Sequence, residues 1–99
     1  MDFILEERVE KARDLFRQGY NCSQSVFLAY NDLLGVESTL AATISGPLGG
    51  GMGRLREVCG AVSGMSLIAG FLAPCPAPAA RQAKAATYAL VQEFAERFR

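Results

Sequence analysis

Two cysteines stand where a helix start could make sulfur reactive. Cys22 follows Asn21, a residue type that caps helices, and so lies in the first turn of the helix that it opens. Cys59 is expected about one turn inside its own helix, after a glycine-rich stretch, with Arg54 and Arg56 close by in sequence. A helix N-terminus carries roughly half a positive charge, which favours thiolate over thiol, and arginines nearby add to that field. Thiolate is the nucleophilic, redox-active and metal-ligating form, so both positions suit reactive sulfur. The competing reading is that cysteine often serves as a small buried hydrophobe. No Cys-x-x-Cys is present, so neither a thioredoxin-like site nor a zinc knuckle has local support. A meeting of Cys22 with Cys59 therefore depends on the fold. Cys75, set between Pro74 and Pro76, reads as incidental.

Histidine is absent. That removes the usual general base, Ser-His-Asp and Cys-His nucleophile systems, and mixed Cys/His zinc sites. The stretch Gly46-Pro47-Leu48-Gly49-Gly50-Gly51-Met52-Gly53 could surround an anion or cofactor with backbone N–H groups, with Gly50, Gly51 and Gly53 as the candidate contacts. It matches neither the Walker A pattern nor the dinucleotide pattern, because no Gly-Lys-Ser/Thr follows and Arg54 stands where a glycine is needed. A tight turn that lets the next helix start close to its neighbours is the simpler reading. Asn21-Cys22-Ser23 fits a glycosylation sequon, but capping explains Asn21 better.

These residues need elements to position them. Leu5, Val9, Ala12 and Phe16 fall on one face of a helix over Phe3 to Gln18, with Asp2 as its cap and Gly19 as its stop. A second helix runs from Cys22 to Leu34 and ends at Gly35. Ser38 to about Ser45 is a short third helix. The glycine stretch cannot hold a regular element. From about Leu55 to Leu72 the chain is helical again, lined by Gly60, Ser63 and Gly64, small residues that let neighbouring helices approach closely. This helix is expected at the centre of the bundle. Ala73 to Pro78 is a proline-broken connection, and a last helix from Ala79 places Ala83, Thr87, Leu90, Phe94 and Phe98 on its inner face. It reaches Arg99 with no stop signal, so the natural chain is expected to continue. The fold class is all-α: a single-domain bundle, residues 1–99, of four main helices plus one short helix.

The 99 residues suit one domain, and 51% hydrophobic against 20% charged residues argues for a folded core over disorder. Ten basic and ten acidic residues cancel, which leaves no electrostatic footprint for nucleic acid. The apolar stretch Val58 to Ala73 falls short of the ~20 residues a membrane span needs. Met1-Asp2-Phe3 leads straight into a charged run and not into a leader, so a cytoplasmic location is expected. In that reducing compartment cysteines are more often catalytic, metal-binding or buried than stapled as disulfides.

The order Gly19-Tyr20-Asn21-Cys22-Ser23-Gln24-Ser25-Val26, then Gly49-Gly50-Gly51-Met52-Gly53, then Cys59-Gly60-Ala61-Val62-Ser63-Gly64 resembles the C_GCAxxG_C_C family, small bacterial and archaeal chains described as redox-active. The resemblance covers nearly the whole chain. It implies that Cys22 and Cys59 match two of four characteristic cysteines, and that their role is redox, through dithiol chemistry or an iron–sulfur or other metal cluster. In the family two further cysteines follow the last helix, and this sequence reaches Arg99 before them; Cys75 does not sit where either is expected, so the remainder of a longer chain or a dimer would have to supply the other ligands. Two thiolates alone do not complete an ordinary four-thiolate cluster.

Two functions of different class are open at this point. One is a redox-active helical protein in which Cys22 and Cys59 face one another and cycle between dithiol and disulfide, or bind metal, with an unidentified redox partner. The other is a non-enzymatic helical interaction module whose cysteines are core residues. The residues do not decide whether the chain is an enzyme. Homodimerisation is expected, because a chain this small with so apolar a second half does not bury all of it alone.

Overall fold

The structure, a computed structural model, describes residues 4–56, 58–74 and 81–98. Among these residues there is no strand. The elements in chain order are α1 (Leu5–Arg17), α2 (Cys22–Leu28), α3 (Asn31–Leu34), α4 (Ser38–Ser45), a 3-10 turn (Gly46–Leu48), α5 (Gly49–Met52, a single turn), α6 (Gly60–Leu72) and α7 (Arg81–Phe98). No described helix is long and apolar enough to cross a membrane.

The centre is the pair α2 and α6, with α1 and α4 laid on α2 and α7 laid on α6. Small residues explain why these two pack so closely. Gly60, Ser63 and Gly64 form the buried side of α6. A β-carbon on Gly64 would stand 2.8 Å from the Ser23 carbonyl oxygen and 3.0 Å from the Val26 Cβ, so only glycine permits this approach. Phe27, Leu28, Ala41 and Ile68 form the core cluster, with Leu15, Tyr20, Val26 and Leu67 packed around it. Phe27 is wholly buried and its ring centroid lies 6.1 Å from that of Phe71. Burial on that scale contributes about 2–3 kcal/mol for a phenylalanine.

Three sequence expectations change in physical detail. Leu5, Val9 and Phe16 are largely exposed, and the inward side of α1 carries Arg8, Lys11, Ala12 and Leu15 instead. The cause is Arg8: its guanidinium donates to the Ala29 carbonyl at 3.0 Å and to Asp32 Oδ1 at 2.6 Å, which turns that face of α1 towards the end of α2. The helix expected from Cys22 to Leu34 breaks after Leu28. Tyr30 leaves helical geometry (φ −128°, ψ −4°), and the buried Asn31 donates its side-chain amide to the Val36 carbonyl and to Ser38 Oγ. The central helix begins at Gly60 and not near Leu55, because Arg54 and Arg56 hold positive φ angles of 68° and 58° that no right-handed helix accommodates.

Other elements fall where the sequence puts them. α4 spans Ser38–Ser45, although its cap is Glu37, whose carboxylate accepts from the N–H groups of Thr39 and Leu40. Gly35, at φ 72°, closes α3. In α7, Ala83, Thr87, Leu90 and Phe94 are the half-buried face. The Asp2 cap, Cys75 and the inward Phe98 side chain lie outside the described residues.

Candidate functional site

Cys22 is the first residue of α2, and its surroundings fix it firmly. Asn21 Oδ1 accepts from the Gln24 N–H at 2.9 Å, and Gln24 Oε1 accepts from the Asn21 N–H at 3.1 Å, a reciprocal capping box. The remaining amide protons of both side chains reach outwards. Asn21 Nδ2 donates to the Gly46 carbonyl and Gln24 Nε2 to the Ala42 carbonyl, both at 2.9 Å. The first turn of α2 is thereby sewn to the end of α4 and the start of the glycine stretch. Gly49 completes the fit, since a β-carbon there would stand 2.4 Å from Asn21 Cγ. Ser23, next to Cys22, is wholly buried, and its hydroxyl has no hydrogen-bond partner among the described residues.

The chain that leads to Cys59 is built differently. Gly50, Gly51, Met52, Gly53 and Arg54 have consecutive φ angles of 66°, 77°, 67°, 61° and 68°, a left-handed turn. For the non-glycine members this conformation costs about 1–2 kcal/mol each. Backbone bonds hold it: the Gly53 N–H to the Pro47 carbonyl at 2.8 Å, Arg54 to Gly49 at 3.2 Å and Arg56 to Gly50 at 3.2 Å. Gly51 lies on the Arg56 backbone, where a β-carbon would come within 2.6 Å of the Arg56 Cα. Cys59 (φ −55°, ψ 130°) is the N-cap residue of α6 and not one turn inside it. Its carbonyl accepts the Ser63 N–H at 3.0 Å, while its side chain makes no capping bond. Among the described residues the sulfur has no hydrogen-bond partner.

The two cysteines reach the same place. Cys22, Cys59, Gly50, Gly51, Gly60, Arg56 and Val58 line one open cleft of about 440 Å³. Cys22 is half-buried and Cys59 exposed, both thiols are free, and neither belongs to the buried core. A β-carbon on Gly60 would stand 2.1 Å from Cys22 Sγ. The glycine that follows Cys59 therefore makes room for the sulfur of Cys22.

Of the glycines singled out from the sequence, Gly50 and Gly51 lie on the cleft. Gly53 does not, and its N–H serves the turn instead. Of the two arginines, Arg56 lines the cleft and Arg54 does not. Sequence reasoning did not single out Val58 or Gly60 as site residues. The signal for Gly60 was its place directly after Cys59, read only as a helix-packing position. No cluster of three or more His, Cys, Asp or Glu side chains able to hold a metal ion occurs among the described residues. Cys22 and Cys59 alone do not fit a four-thiolate iron–sulfur cluster.

The family model described as "Putative redox-active protein (C_GCAxxG_C_C)" matches residues 20–99. No curated protein and no solved structure matches the chain.

Proposed function

The chain belongs to the C_GCAxxG_C_C family, and from that premise we propose that it carries out thiol–disulfide exchange with Cys59 as the entering thiol and Cys22 as the resolving thiol. The observation that carries this reading is the single cleft lined by both cysteines, with Cys22 Sγ seated against Gly60, the residue next to Cys59. The assignment of roles follows exposure: Cys59 is open to a substrate, and Cys22 is half-buried and held by the α2 cap.

The step balances with a disulfide R–S–S–R as oxidant. The Cys59 thiolate attacks one sulfur, a Cys59–S–S–R bond forms, the S–S bond breaks and one RS⁻ leaves to take up a proton. Deprotonated Cys22 then attacks Sγ of Cys59, a Cys22–Cys59 disulfide forms, and the second RS⁻ leaves and is protonated. Two electrons pass from the protein dithiol to the substrate, and the two protons lost by the cysteines equal the two gained by the released thiols. Arg56 lines the same cleft as both sulfurs. A reducing compartment suits the dithiol as the resting state.

Trapping the mixed disulfide tests the proposal. With Cys22→Ser and Cys75→Ser combined, hydroxyethyl disulfide is expected to leave one stable adduct per chain, on Cys59, found by peptide mass mapping. The wild-type chain should pass through that adduct to an internal disulfide. Equal adduct formation at both positions, with adducts that persist in the wild-type chain, contradicts it.

A further inference from the structure

Arg56 lines the cleft that both cysteines share. Among the described residues lining it, Arg56 is the one that carries a charge; the others are the cysteines, three glycines and Val58. Arg56 also takes no part in an ion pair among the described residues, unlike Arg8, Arg13, Arg17 and Arg97. Its backbone is held on the cleft rim at a φ of 58°, with its N–H bonded to the Gly50 carbonyl and Gly51 pressed against its Cα. A strained backbone that brings a charged residue to a cleft lined otherwise, among the described residues, by cysteines, glycines and a valine is poorly explained by stability.

Resting on the exchange reading above, we infer that the disulfide taken by this cleft is a small molecule carrying a carboxylate near its sulfur, with Arg56 as the residue that binds the carboxylate. A cleft of about 440 Å³ matches a small ligand. Guanidinium and carboxylate pair through two parallel hydrogen bonds, which would orient the disulfide as well as attract it. Val58 and the bare glycine faces take the methylene groups between carboxylate and sulfur. The chemical bias of a free thiolate runs the other way, since it repels an anionic disulfide and attracts a cationic one. A preference for anions is therefore a property that Arg56 must supply.

The test uses three disulfides of similar length and different charge: dithiodipropionate (anionic), hydroxyethyl disulfide (neutral) and cystamine (cationic). The rate of Cys22–Cys59 disulfide formation with each is divided by the rate of a free small dithiol with the same compound, which removes differences in leaving group. The expected relative order is anionic over neutral over cationic, with about fivefold between the first two, the size of one partly exposed ion pair. The preference should shrink as salt rises. Arg56→Asn, a residue that tolerates the left-handed backbone, should abolish the order, while Arg56→Lys and Arg54→Asn should keep it. Equal relative rates for all three probes, or an order unchanged in Arg56→Asn, overturns the inference and leaves the exchange reading standing. Failure of the neutral probe to form the Cys22–Cys59 bond overturns both.

Discussion

Cys22 and Cys59 open neighbouring helices and line one cleft, yet the supports behind them differ in kind. Behind Cys22 stand side chains: the Asn21–Gln24 capping box and two hydrogen bonds donated by side-chain amides to carbonyls of other elements, in a right-handed and unstrained backbone. Behind Cys59 stands a left-handed backbone turn, held by main-chain bonds and by glycines that leave no room for a β-carbon. The difference matches the division of labour proposed for them. A resolving sulfur must stay in place while a substrate-bearing sulfur meets it. An entering sulfur needs exposure and a free side chain, which the N-cap position without a capping bond provides.

Substitutions on the two sides should separate these supports. The largest effect is expected for Gly51→Ala, where the positive φ and the Arg56 backbone both oppose a β-carbon. A loss of about 3 kcal/mol is expected in urea unfolding, as left-handed strain adds to overpacking. Unchanged stability would mean that the loop does not rest on Arg56 in solution.

On the other side, Asn21→Ala removes the cap and the bond to Gly46, for a loss of about 1–2 kcal/mol. It should also change alkylation of Cys22 more than that of Cys59. The reverse ranking would break the contrast between anchored and displayed sulfur.

Gly64→Ala tests the closeness of α2 and α6. Helix propensity alone favours alanine by about 1 kcal/mol, whereas overpacking costs about 1–3 kcal/mol. The 2.8 Å approach to the Ser23 carbonyl decides the sign, so a net loss of about 1 kcal/mol is expected by thermal unfolding. A stabilised variant would show that the two helices stand farther apart.

The smallest effect lies in α3, away from the cleft. The Arg8 guanidinium, with Lys11 nearby, holds the Asp32 carboxyl at about 2, below its ordinary 3.8. A depressed carboxylate stabilises the fold above its unfolded value and loses that contribution as the pH falls from about 4 to about 2. Asp32 is half exposed, so screening keeps the effect below about 1 kcal/mol. Asp32→Asn should remove this part of the acid sensitivity measured by pH-dependent unfolding. The part due to Glu37, lowered in the same direction by the Thr39 and Leu40 N–H groups, should remain.

The all-α class, α4, the end of α6 and the inner face of α7 were readable because local periodicity and stop residues set them. The face of α1 was not. Its apolar spacing points one way, while one long-range bond from Arg8 to the end of α2 turns it another. Leu55 and Arg56 are helix-compatible residue types, but the backbone there is set by bonds from Arg54 and Arg56 back to Gly49 and Gly50. The two cysteines were visible by their positions near helix starts. Their shared cleft was not, because the room for Cys22 comes from Gly60, a residue distant from it in sequence.

Equilibration of the wild-type chain in a thiol–disulfide redox buffer, followed by alkylation and peptide mass mapping, tests most directly whether Cys22 and Cys59 act as one dithiol. The expected result is a reversible Cys22–Cys59 linkage that takes up two electrons per chain. Independent oxidation of the two thiols, with no Cys22–Cys59 peptide at any poise, would contradict it.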